Sequence, residues 1–197
     1  MRRSISALAL LCGLCLIMES GIPLPKVPAG IYRPADRAAY VISHFWDAAD
    51  WPNVSSDESL EQSFVNWFSI FSLAGTDEKA DSIRLSAVSS TYAKAASVSP
   101  ECLDTFCNLA QKYLFDTDSP YIDDELYMLF LEGQIASGSL DKLHRMRADG
   151  QMSILLNNRV GSIMEEFSFK GEDGVRIKFS DIKGKRLLIL YDTKCNA

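Results

Sequence analysis

Histidine is nearly absent from this chain. Only His44 and His144 occur in 197 residues, and neither sits in a metal-ligand spacing such as H-x-x-x-H or C-x-x-C. Both read as surface or half-buried helix residues. A basic excess is missing as well: 20 Lys and Arg face 26 Asp and Glu, for a net charge of −6. A phosphate binder wants a basic face, so nucleic acid is excluded as a partner. There is no P-loop, no Rossmann glycine pattern and no Ser-His-Asp set, and neither a repeat nor a low-complexity tract. The sequence implies no metal and no cofactor. What is present is apolar material for a sizeable core, 47% of residues with 10% aromatic.

The N-terminal twenty residues stand apart. Arg2 and Arg3 precede an apolar run, Ile5 to Met18. That run is too short to span a bilayer comfortably and has the size of a signal-peptide core. Residues 1–20 are therefore expected to direct export. Two alternatives stay open: lipidation at Cys15, or an uncleaved helix, either of which would attach the chain to a membrane. Residues 21–35 follow as a linker, with four of the seven prolines between 21 and 34, a spacing no helix tolerates.

Residues 36–159 are expected to form a compact domain of five or six antiparallel helices. Asp36 can cap a first helix whose apolar face is Ala38, Ile42, Phe45 and Ala49, ended by Trp51-Pro52-Asn53. Ser55 and Glu58 have capping-box spacing. Leu60, Phe64, Trp67 and Phe71 then recur every three or four residues, and Gly75 closes that helix. Leu85, Val88, Tyr92 and Ala95 share a side of the third. Ser99-Pro100-Glu101 is ordered as a helix start, before the face Leu103, Phe106, Ala110 and Tyr113. Asp123 or Asp124 starts a fifth, with Leu126, Phe130 and Gly133 on its stripe. The last runs from Leu140 to Asn158, with Gly150 as a candidate break. Asp116, Asp118, Asp123 and Asp124 do not follow EF-hand spacing and read as turn formers and caps. Phe45, Trp46, Trp51, Phe64, Trp67 and Phe68 could line a peptide groove, but their helical spacing favours the core.

From residue 160 the period becomes that of strands. EFSFK (166–170) and VRIKF (175–179) alternate around Glu172-Asp173-Gly174, a hairpin turn. SDIKGK follows, then RLLIL (186–190), apolar on both sides like a strand inside a covered sheet. The expected fold class is thus mainly α, with a short β-hairpin plus strand at the end.

Residues 164 to 195 resemble the opening of thioredoxin-like envelope proteins of the TlpA/ResA type. Phe167, Asp173-Gly174, Phe179-Ser180-Asp181, Lys183-Gly184-Lys185 and Leu187 to Tyr191 carry the likeness, and Cys195 matches the first cysteine of a Cys-x-x-Cys motif. Tyr191-Asp192-Thr193-Lys194 replaces the usual tryptophan-rich approach. KYLFDTDSPYIDDELY (112–127) is similar to a helical domain of unknown function that precedes such domains in Gram-negative envelope proteins. The resemblance implies that Cys195 is the attacking thiol of a thiol–disulfide oxidoreductase, and that residues 160–197 are the N-terminal fragment of its catalytic domain. A thioredoxin fold needs on the order of 100 residues, and the second cysteine would fall at position 198. The expectation is a chain cut inside its active-site motif and inactive as it stands.

The other cysteines weigh less. Cys12 and Cys15 would leave with the signal. Cys102 and Cys107 lie about 140° apart on one helix. Cys107 reads as a small core residue, and Cys102, near a helix start, as a mildly acidic thiol at most. Two functions remain: the exported oxidoreductase, acting on proteins with disulfides, and a non-enzymatic helical module of the envelope that binds partner proteins. Residues 187–191 are expected to promote self-association.

Overall fold

A computed structural model describes residues 21–157, 159, 161, 163 and 166–189. The signal segment 1–20, and the stretch 190–197 with Cys195, lie outside the described residues. Six helices occur among those described: α1 Pro34–His44, α2 Leu60–Ser69, α3 Glu78–Val98, α4 Pro100–Leu114, α5 Asp124–Ala136 and α6 Lys142–Asn157. Two short strands follow, β1 Ser168–Lys170 and β2 Arg176–Lys178. The chain divides into two compact units, the first ending at Ser153 and the second starting at Ile154.

The helical unit is organised by its aromatic residues. Phe64 and Trp67 on α2 are fully buried, as are Phe106 on α4 and Phe130 on α5. Phe64 meets Phe106 at 6.2 Å and Phe130 at 5.7 Å between ring centroids, and Trp67 meets Phe130 at 5.6 Å. These are mostly edge-to-face pairs, the arrangement the ring quadrupole prefers. Trp67 also donates its indole N–H to the carbonyl of Ile42 at 3.0 Å, which satisfies a buried polar atom and ties α2 to α1.

Helix ends follow the side chains at the caps. Asp77, Ser99 and Asp123 accept from the backbone N–H groups of Ala80, Cys102 and Leu126, opening α3, α4 and α5. Pro34 and Pro100 occupy first turns, where a missing N–H costs nothing. Gly133 on α5 lets α3 come close: a Cβ there would stand 2.4 Å from Val88 Cγ1 and 3.2 Å from the Ser89 nitrogen. Arg84 on α3 donates to the carbonyls of Phe71 and Gly75 and pairs with Asp81, satisfying carbonyls after α2.

Several expectations need correcting. The first helix ends at His44, not at Trp51; residues 45–48 turn instead, and the turn brings both Phe45 and Trp46 into the core. The capping box at Ser55 and Glu58 does not form. Ser55 lies in a 3-10 turn, Val54–Ser56, and the Asp57 carboxylate takes the N–H and hydroxyl of Ser59 before α2 begins. Gly150 does not break α6. On α5 the deepest residues are Tyr127, Phe130, Leu131 and Gln134, so the buried face is centred beside the expected stripe.

In the second unit the hairpin pairs Ser168 with Lys178, Phe169 with Ile177 and Lys170 with Arg176. Gly174 takes φ 79°, the left-handed conformation its turn position requires. Asp173 accepts from the Val175 nitrogen at 3.0 Å. Phe167 stacks on Phe179 at 4.9 Å, and a 3-10 turn, Phe179–Asp181, follows. The third strand expected at RLLIL is not formed over its described part. Residues 186–189 run without regular structure, with Leu187 85% and Ile189 68% exposed. A strand of that composition needs neighbours on both edges and cover on both faces, and the sheet among the described residues has two strands.

Candidate functional site

Cys195, the one catalytic residue the sequence suggested, lies outside the described residues. The two described cysteines are free and buried. Burial in apolar surroundings disfavours the thiolate, and it pushes the Cys107 thiol up to about 12 with help from the nearby Asp104 charge. Cys107 is therefore a core residue, as expected of a small free cysteine. Cys102 is 1% exposed and packs in the same core, which removes it from contact with a substrate.

The histidines are partnered. His44 Nδ1 lies 2.7 Å from Asp47 Oδ2. His144, on α6, stands between two carboxylates. Its Nε2 is 3.1 Å from Asp104 Oδ1 on α4, and its Nδ1 is 3.1 Å from Asp141 Oδ2 without hydrogen-bond alignment. Asp141 also accepts the His144 backbone N–H at 2.9 Å, which caps α6 and holds the carboxyl below the ordinary range. Glu61 is held low in the same way by Lys112, with Tyr113 adding a second donor. In the acidic turn Asp116 accepts from the Asp118 nitrogen. Among the described residues no cluster of His, Cys, Asp and Glu is arranged to hold a metal ion. No helix among them is long and apolar enough to cross a membrane.

A groove of about 380 Å³ opens on the helical unit where the turn after α1 meets α3. Ser43, Trp46, Asp47 and Trp51 form one wall, and Ala87, Ser90, Thr91 and Lys94 form the other. Trp46 is 6% exposed, and its indole N–H finds no acceptor among the described residues. Trp51 is half-buried, stacked on Phe106 at 5.8 Å and 6.2 Å from Trp46. The sequence placed Trp46 and Trp51 in the core by default; Trp46 is indeed buried, but both line this opening. The α3 wall was missed. Its signal was available, since Ala87, Ser90, Thr91 and Lys94 repeat at helical spacing as a strip of small and polar side chains.

The fold and sequence find relatives. A solved structure described as a thioredoxin-like protein from Bacteroides caccae superposes with a TM-score of 0.61 at 23% identity, over 84% of this chain. The second unit alone could not supply that coverage, so the likeness of fold includes the helical unit. The chain spans 58% of the length of that neighbour. A comparison with curated proteins gave no match. The chain belongs to the DUF5106 family, described as a domain of unknown function, which matches residues 7–158.

Proposed function

We propose that this polypeptide joins a helical N-terminal domain to the opening of an exported thiol–disulfide oxidoreductase of the TlpA/ResA type, acting in the Gram-negative cell envelope. The observation that carries the reading is the order of elements before Cys195. Phe167, the Asp173-Gly174 turn, the Phe179–Asp181 turn and the apolar run from Leu187 follow one another as in that family. The description of the structural neighbour as thioredoxin-like supports it. In this role the Cys195 thiolate attacks a protein disulfide. One substrate sulfur bonds to Cys195 and the other leaves as a thiolate. A second thiol one turn further along such a motif resolves the mixed disulfide. The exposed Leu187, Leu188 and Ile189 favour self-association.

An insulin-reduction assay with dithiothreitol tests the proposal, together with thiol trapping. The chain should form a mixed disulfide that disappears in Cys195→Ser and persists in Cys102→Ser with Cys107→Ser. Trapping that is unchanged in Cys195→Ser would overturn it.

The groove beside Trp46 favours a second reading, a non-enzymatic module of the envelope that binds a partner. Under that reading Cys195→Ser leaves every binding property intact.

A further inference from the structure

We propose that His144 is a proton-operated latch that fastens the first turn of α6 to α4. Its side chain is 12% exposed and stands between carboxylates from two elements. Nε2 faces Asp104 Oδ1 on α4 at 3.1 Å, and Nδ1 faces Asp141 Oδ2, just before α6, at 3.1 Å. Both carboxylates are held in place by second contacts. Asn108 donates to Asp104 Oδ2 at 3.1 Å, and Asp141 Oδ1 accepts the His144 backbone N–H at 2.9 Å. A neutral imidazole has one N–H and one lone pair. Whichever nitrogen carries the proton, the other turns its lone pair toward a carboxylate oxygen. Only the imidazolium presents an N–H on both sides. The Nδ1 contact is off the line of a hydrogen bond, but attraction between charges does not need that line.

The other groups in this neighbourhood leave the two carboxylates in surplus. Burial pushes up Cys107 on α4, to about 12, and Tyr127 on α5, so both stay neutral between pH 5 and pH 8. Arg147, three residues along α6, opposes charge on the ring, but one guanidinium stands against two carboxylates. Arg145 is paired with Asp149, and Glu101 is held at the start of α4 by Ser99. Lys142 lies on the far side of α6 by its spacing. Burial of the ring disfavours its charge, yet both partner carboxylates remain hydrated, at 49% and 60% exposed. The stabilisation therefore belongs to the charged ring. It is fully present below about pH 6 and is lost as pH rises toward 8.

Amide exchange of the full chain, read residue by residue by NMR at pH 5.5 and pH 8 and corrected for intrinsic rates, tests the latch. The amides of 145–148 should lose about tenfold in protection at pH 8, the effect of one charge-assisted contact. The amides of α2 should keep theirs. His144→Gln retains a donor but cannot titrate, and should show the pH 8 protection at both pH values. Asp104→Asn should remove most of the change. His44→Gln, at the exposed pair with Asp47, should leave it as in the wild type. The wild-type ring gives a check that needs no variant to fold: the His144 ring signals should titrate in step with the loss of protection. Equal protection at the two pH values, a change that survives His144→Gln, or ring titration out of step with protection would overturn the latch.

Discussion

The helical unit and the C-terminal unit treat apolar residues in opposite ways. In the first, Phe64, Trp67, Phe106 and Phe130 are all fully buried, within one aromatic cluster drawn from three helices. In the second, Phe169 is 38%, Val175 58% and Leu187 85% exposed. Both segments are rich in apolar side chains, so composition does not make the difference. Helices bury a stripe against one another within about 130 residues, whereas a two-stranded hairpin is marginal alone and needs more sheet or a helical cover. One unit has completed its core; the other presents the faces of a sheet.

The largest effect should come from emptying the aromatic cluster. Phe64→Ala or Trp67→Ala should each cost about 3–5 kcal/mol, a fall in Tm of roughly 10 °C or more by thermal unfolding. Phe169→Ala in the hairpin should stay within about 0.5 kcal/mol. Equal effects at Phe64 and Phe169 would erase the contrast between the units.

Next comes the contact of α3 with α5. Gly133→Ala should destabilise by about 1–3 kcal/mol, because the new methyl meets Val88 and the Ser89 backbone. Gly150→Ala, where a Cβ meets nothing within 4 Å, should instead stabilise α6 by up to about 1 kcal/mol. Denaturant midpoints of the two variants should therefore move in opposite directions.

What was legible in the sequence divides along physical lines. The stripes Leu60, Phe64, Trp67 on α2 and Leu103, Phe106, Ala110 on α4, the cap at Ser99 and the hairpin at Asp173-Gly174 are local signals, and each appears where the sequence put it. Of the two candidate starts of α5, Asp123 is the cap, while α2 ends at Ser69 and a 3-10 turn, not more α-helix, carries Phe71 toward Gly75. The early end of α1 was not legible, because it depends on two adjacent aromatics, Phe45 and Trp46, finding room in a core built from distant segments. Arg84 and the Trp67 bond to Ile42 were hidden for the same reason. The groove joins residues 36 to 51 positions apart, so only its α3 strip left a trace. Cys195 was found by resemblance alone.

A smaller effect should appear with acid. Glu61, held low first by Lys112, and Asp141, held low first by the His144 backbone N–H, both have folded values below their ordinary 4.5 and 3.8. The unfolded chain therefore takes up protons first. Their stabilisation is complete above the ordinary values and is lost as pH falls through the folded ones. Tm measured from pH 6 to pH 3 should fall, and Glu61→Gln or Asp141→Asn should each flatten that fall slightly. An unchanged acid slope in both variants would remove these carboxylates from the account.

The smallest effect should follow removal of the second unit's end. Deleting residues 161–197 should leave the helical circular dichroism nearly intact and make the chain more soluble, since Leu187, Leu188 and Ile189 go with it. Loss of helix on that deletion would make the C-terminal segment part of the helical core.

Amide hydrogen exchange on the full chain, read by mass spectrometry, tests the central contrast most directly, because both units report in one sample. Peptides from α2 to α5 should exchange slowly, at the rate set by global unfolding, while peptides from 166–189 should exchange through local opening and approach unprotected rates. Equal protection across the two units would contradict the account.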